Sequence, residues 1–220
     1  MLFDQLYPYR FQLFLMTLLA ILFGSLLMPV EWFETVASPI FFILNLTAGV
    51  IFVRHNKHMY RAVLALLMIA VLVYGVHLLG IKHTEQINFI RLVCFFIFYA
   101  IVTVNIINQV TKASIIKRKV ILGLISGYVS LGLLAFFMFS MIEYLQPNSF
   151  SGLYADDNLT YIPNRMLYFS YVTLLTIGYG EILPVSNLAQ KGAILVALFG
   201  QFYTVILTAI VVGKYLNQNA

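Results

Sequence analysis

Residues 173–184 read TLLTIGYGEILP, and their order suits one kind of chemistry. Gly178 and Gly180 alternate with Ile177 and Tyr179, and Thr176 leads the run with a hydroxyl beside its own carbonyl. A glycine lacks Cβ and adopts backbone conformations closed to other residues. The alternation therefore permits an extended, irregular strand whose carbonyl oxygens stand open. Such oxygens can replace the water around a dehydrated cation, while Ile177 and Tyr179 pack outward and brace the strand. An acid, Glu181, follows directly. Nothing in a packed core calls for this order of residue types. A narrow passage lined by backbone does.

The elements that hold such a strand must be membrane-spanning. Of 220 residues, 62% are hydrophobic and 10% charged, and the mean hydropathy is +0.94. Soluble domains run near ~45–50% apolar and ~25% charged, so an all-α integral membrane fold is expected. The net charge of +5 is explained by topology, without nucleic acid. The one cysteine, Cys94, excludes an intrachain disulfide. The opening MLFDQLYPYRFQLFLM lacks the small-residue cleavage site of a signal peptide, so the first apolar run is kept as a mature span.

A hydrocarbon core of about 30 Å takes about 20 apolar residues in a helix. Five such runs precede the motif, at 11–28, 35–53, 62–80, 88–110 and 120–145, and one follows at 188–216. The apolar run 166–175 is too brief to cross and reads as a half-span that enters and returns. Arg54, Lys57 and Arg61 lie in one connection, and Lys112, Lys117, Arg118 and Lys119 in another. The alternate connections hold Glu31 and Glu34, then Lys82 and Glu85, then Glu143, Asp156, Asp157 and Glu181 against Arg165 and Lys191. Basic loops stay cytoplasmic. With Arg10 and Lys214 on the same side, both termini are expected in the cytoplasm of a multi-pass cell-membrane protein, and the motif faces outward. Trp32 and Tyr161 fit an interfacial aromatic belt.

At TIGYG the sequence resembles the pore domain of potassium channels. YIPNRMLYFSYVTLL before it is similar to that family's pore helix, with Pro163 near the first turn, where a missing N–H costs little. GQFYTVILTAIVVGKYL after it resembles the inner helix, and Gly200 stands where the family often has a hinge glycine. The resemblance covers residues 120–216 and implies a potassium-selective channel, not an enzyme, with no cofactor beyond the permeant K+. It implies K+ at the carbonyls of Thr176, Ile177, Gly178 and Tyr179, with Gly180 completing the filter and Val172, Thr173, Leu175 and Glu181 supporting it. Leu175 replaces a usual threonine and Glu181 a usual aspartate. One chain carries one filter segment and a carbonyl ring needs four, so the expected partners are three further copies and membrane lipids.

The expected architecture is six transmembrane helices plus a re-entrant pore helix and an extended filter loop, forming a tetrameric pore. Residues 1–112 would be a four-helix domain resembling a voltage sensor, and 113–220 the pore domain. A sensor repeats Arg or Lys every third residue, because one charge crossing 100 mV is worth only about 2.3 kcal/mol. The fourth run has Arg91 alone, near its outer end, where it is expected to snorkel, and the first three runs contain no Asp or Glu. The channel is therefore expected to be voltage-independent. Thr204, Thr208 and Val212 follow Gly200 at four-residue spacing and share a helix face. That face either lines the cavity, with Val212 narrowing its mouth, or packs against a neighbouring copy. Gly200 is either hinge or close contact. Within the sequence to Ala220, no cytoplasmic ligand-binding domain is expected to pull on such a gate.

Other constellations have plainer readings. His55 and His58 lack further metal ligands nearby and read as a solvated loop, and His77 as a hydrogen-bonding group within the bundle. Asn45 and Asn105 are expected to join helices. Asp156 and Asp157 either concentrate cations at the outer mouth or form a solvated turret. Glu143 either braces the outer pore or is an interfacial charge. Asn158 heads a glycosylation triplet that matters only in a secretory pathway. Ser126, in GLISG, lacks a catalytic partner. Gly123, Gly127 and Gly132 read as close-packing positions. Two rivals remain: a weakly selective cation channel, and a potassium transporter subunit with a filter-like loop.

Overall fold

The computed structural model describes residues 7–53, 57–78, 85–154 and 162–218, with backbone alone at 74–78 and 85. Arg54, His55, Lys82, His83, Asp156, Asp157, Asn158 and Tyr161 lie outside the described residues, as does the side chain of His77. The rest is nearly all helix. α1, Arg10–Phe23, ends in a 3-10 turn at Gly24–Leu26. Pro29 then takes an extended conformation and caps α2, Val30–Val53. That start lies five residues ahead of the expected 35. Charged Glu31 and Glu34 mask the apolar pattern there, yet acids suit a helix's first turns.

α3 is Lys57–Leu78, α4 Glu85–Lys112 and α5 Arg118–Leu145. α6, Ile162–Leu174, has 13 residues and at 1.5 Å per residue reaches only about 20 Å, too short to cross. α7 is Asn187–Asn217. Among the described residues, α2, α4, α5, α7 and the stretch Tyr7–Leu26 around α1 are long and apolar enough to span a membrane. The remaining expected run, 62–80, lies on α3 and ends beyond the described residues. Two helices contain a π-turn, Phe33–Ala37 in α2 and Tyr203–Leu207 in α7. Neither is visible in an apolar periodicity.

α4 lies along α5, and α1 packs on both α2 and α5. The connection between α4 and α5 spans only residues 113–117, so α5 folds back against its own chain's α4. One apolar core runs from Phe11 and Phe14 through Phe95 and Phe98 to Phe139, Phe169 and Val196. Phe137 stacks on Phe95 at 5.0 Å and on Tyr99 at 5.6 Å. The expected small positions on α5 do permit close approach: Gly123 meets Phe11, Gly127 the Tyr203 hydroxyl and Gly132 the Tyr171 ring.

Polar groups inside this core are joined across helices. The buried Asn45 donates to Thr17 Oγ1 at 2.8 Å and accepts from the Tyr99 hydroxyl at 2.8 Å, tying α1, α2 and α4. Thr103 and Ser130 share a hydrogen bond of 2.6 Å between α4 and α5. Asn105 binds its own helix at Ile101 O, 2.8 Å, and reaches Met59 Sδ at 3.7 Å.

Candidate functional site

α6 carries the candidate strand on its C-terminal end. Pro163 sits in its first turn, as the sequence suggests, and the helix begins at Ile162, ahead of the apolar run itself. Past Leu174 the chain curls without breaking contact. The Leu175 N–H donates to Tyr171 O at 2.8 Å, Thr176 N–H to Thr173 O at 3.0 Å, and Ile177 N–H to Val172 O at 2.9 Å. Val172 and Thr173 thus serve the strand through their carbonyls.

Thr176, Gly178 and Gly180 have φ of 56°, 60° and 97°, while Ile177 and Tyr179 between them are not in the positive region. Alternating the sign of φ flips every second peptide plane. Successive carbonyls then turn toward one side of the strand, where a β-strand would send them to both. A Cβ at Gly178 or Gly180 would meet nothing within 4 Å in this chain, so glycine answers there to backbone conformation and not to crowding. Thr176 holds the same conformation at a steric cost, assisted by Gln201 Nε2 donating to its hydroxyl at 3.4 Å.

Residues 175–181 are all exposed, including Ile177 at 47% and Tyr179 at 72%. Behind the strand, the Tyr168 hydroxyl bonds the Glu181 carboxylate. Tyr168 is not among the residues expected to support the strand; a tyrosine on α6, 13 residues before Glu181, is the sequence signal for this bond.

The strand's far end is pinned to the α5–α6 connection. β1, Phe150–Ser151, pairs antiparallel with β2, Leu183–Pro184, and Val185 N–H donates to Ser149 O at 2.8 Å. Gly152, at φ 77°, lies so close that a Cβ would come within 2.0 Å of Glu181 O. Glu143 organises this turn. Buried at the end of α5, it accepts from Asn148 N–H at 2.7 Å, Ser149 N–H at 3.0 Å and the Tyr154 hydroxyl at 2.7 Å. Burial, and then the Glu143 carboxylate, push the Tyr154 phenol up to about 12.

On the other flank α7 backs the strand. At Gly200 a Cβ would lie 2.3 Å from Leu174 O, so the close-contact reading of this glycine has a direct structural cause. Tyr203, opening the π-turn, is buried and donates to Leu124 O at 2.6 Å. Thr204 turns its hydroxyl back to Gly200 O and Gln201 O, at 3.1 and 3.0 Å. Thr204, Thr208 and Val212 are all exposed in the single chain.

Other candidates lie apart from this strand. Arg91 lines a crevice of about 420 Å³ between α2, α4, α5 and α6, with Glu34 and Glu143 also on its walls. Asn164 Nδ2 donates to Glu34 Oε1 there at 2.8 Å. His58 is exposed, and among the described residues no group of three His, Cys, Asp or Glu could hold a metal. Ser126 is buried and donates to Leu122 O at 2.7 Å.

Residues 128–217, from mid-α5 to the end of α7, match the family model described as ion channel, a two-span pore family of potassium-channel type. No curated protein and no solved structure matches the chain.

Proposed function

From a chain whose residues 128–217 match that pore family, we propose a potassium-selective channel that conducts passively through four copies around one axis. The observation that carries the reading is the positive φ at Thr176, Gly178 and Gly180, every second residue of a strand delivered by a helix too short to cross. The carbonyls of Thr176, Ile177, Gly178 and Tyr179 would replace the hydration shell of K+. The C-terminal end of α6 points its negative dipole at the same place and favours a cation there. Val172, Thr173, Leu175 and Glu181 support the strand, and Thr204, Thr208 and Val212 line the cavity below.

Four copies are supported by what one copy leaves uncovered: Ile177, Tyr179 and, along α7, Leu198, Phe199, Phe202 and Val205. We take α1–α5 and α7 as the six spans, in a cell membrane with both termini cytoplasmic; among the described residues five of them are long and apolar enough to cross. Apart from Lys112 at its end, α4 carries one basic residue, Arg91, which supports voltage-independent conduction.

The test is the reversal potential of purified, reconstituted protein with potassium on one side and sodium on the other. A value far toward the potassium equilibrium potential is expected. A value near zero with real current would replace this reading with a general cation pore.

A further inference from the structure

A crevice of about 660 Å³ opens where the first turn of α1, the end of α2, the start of α3 and the last turns of α4 come together. We propose that it binds the phosphate of an anionic lipid headgroup. The proposal rests on the topology given under Proposed function, which sets this end of the bundle at the cytoplasmic interface.

Two cations, Arg10 and Lys112, line the crevice beside the amides of Asn105, Asn108 and Gln109, and its described lining holds no acid. The half-buried Arg10 is held in place by neutral partners. Its Nε donates to Gln109 Oε1 at 2.9 Å and one terminal nitrogen to Tyr7 O at 3.1 Å. Its guanidinium lies 4.1 Å from the Tyr7 ring centre and 4.6 Å from that of Phe11. These contacts fix the guanidinium without cancelling its charge, and a planar guanidinium matches phosphate oxygens geometrically. Lys112 is exposed and adds a second, movable charge.

Depth selects a lipid over a free anion. Arg10 begins one spanning helix and Lys112 ends another, so both lie where acyl chains give way to headgroups. Phe52 and Val53 supply apolar wall beneath them. Basic pockets between spanning helices at the cytoplasmic face have this character.

The same stretch of chain holds the end of α7. Lys214 Nζ donates to Thr111 O and, at 2.9 Å, to Ala113 O. Gln218 accepts from Ile116 N–H at 2.7 Å and donates to Ile116 O at 3.0 Å. Ala113 also lines the crevice. A phosphate seated against Lys112 thus bears on the peptides that anchor the last turn of the proposed inner helix.

Native mass spectrometry of the full chain, with phosphatidic acid or phosphatidylcholine at matched concentration, tests the site. Phosphatidic acid should be retained in preference, and Lys112→Gln should lower its retention about fivefold, with a similar further loss in Arg10→Gln/Lys112→Gln. Lys191→Gln, at the opposite end, should change nothing. Equal retention of the two lipids, or unchanged retention in Lys112→Gln, would overturn the proposal. Displacement of phosphatidic acid by millimolar inorganic phosphate would overturn the lipid assignment in favour of a free anion. The single Lys112 variant removes an exposed side chain, so it stays informative if loss of the Arg10 contacts disturbs folding. Retention is read without current, so failure of the channel reading and failure of this site are separate results.

Discussion

Asn45 and Ile177 sit in opposite circumstances. Asn45 is a polar side chain at 0% exposure with partners on two other helices, whereas Ile177 is an apolar one left 47% exposed. Each would be an anomaly in the other's place. Around Asn45 the chain has met its own needs: in a membrane a polar group must find protein partners, and Thr17 and Tyr99 supply them. Around Ile177 it has not. Its backbone is set by contacts within one chain while the side chains of Ile177 and Tyr179 are left largely exposed. The first region is finished by folding, and the second is left open, as the proposed assembly of four copies requires.

The sharpest break of that contrast is Gly178→Val. Valine at φ 60° costs about 1–2 kcal/mol, or about 4–8 kcal/mol over four chains, which is more than about a hundredfold in the population of a conducting strand. Potassium flux into vesicles should fall to background while the oligomer, read by crosslinking, persists. Flux near the wild-type level would remove the carbonyl strand from the mechanism.

The second substitution pair separates packing from hinging along α7. Gly200→Ala forces a Cβ to 2.3 Å of Leu174 O, a backbone atom that cannot swing away, and overpacking of this kind costs about 1–3 kcal/mol. Gly213→Ala meets nothing within 4 Å and should gain up to about 1 kcal/mol of helix propensity. Thermal unfolding should therefore move in opposite directions. If both variants gain stability, the close contact with Leu174 is not what keeps Gly200 small.

What was legible in the sequence follows the same division. The strand announced itself because alternating glycines are a backbone requirement, and backbone requirements are written locally. Spanning helices were legible because bilayer thickness sets their length. The contact of Gly200 with Leu174 O, the bond from Tyr168 to Glu181 and the pairing of Phe150 with Pro184 were not, since each joins residues whose proximity depends on tertiary packing. The π-turn at Tyr203–Leu207 escaped for a related reason. It lies in an apolar helix with exposed side chains on several faces, where one extra residue per turn leaves no mark in the hydrophobic pattern.

A smaller effect is expected on the finished side. Asn45→Leu removes the acceptor of the Tyr99 hydroxyl, while Thr17 keeps its bonds to Leu13 O and Phe14 O at 3.1 and 2.9 Å. One orphaned hydroxyl in such a bundle costs about 1–2 kcal/mol. The melting temperature should drop by a few degrees while the potassium-to-sodium permeability ratio stays put. A change in that ratio would mean that the two regions are coupled more tightly than their packing suggests.

The smallest effect lies at the seam between them, where Glu143 holds the turn that meets the strand. Burial first, then the hydrogen bond to Glu143 and its charge, raise the Tyr154 phenol from 10 to about 12. A raised folded-state value means that the neutral phenol is the form the fold favours. Its contribution is complete below pH 10 and is lost as the pH climbs through about 12. Absorbance at the phenolate band, taken as wild type minus Tyr154→Phe, should show a step near the upper value. Glu143→Gln should move that step partway down, because burial remains when the charge is gone. A wild-type step at the ordinary tyrosine value would mean that Tyr154 does not donate to Glu143 in the protein. The turn would then be held by the Asn148 and Ser149 N–H groups alone, and the far end of the strand would rest on β1 and β2.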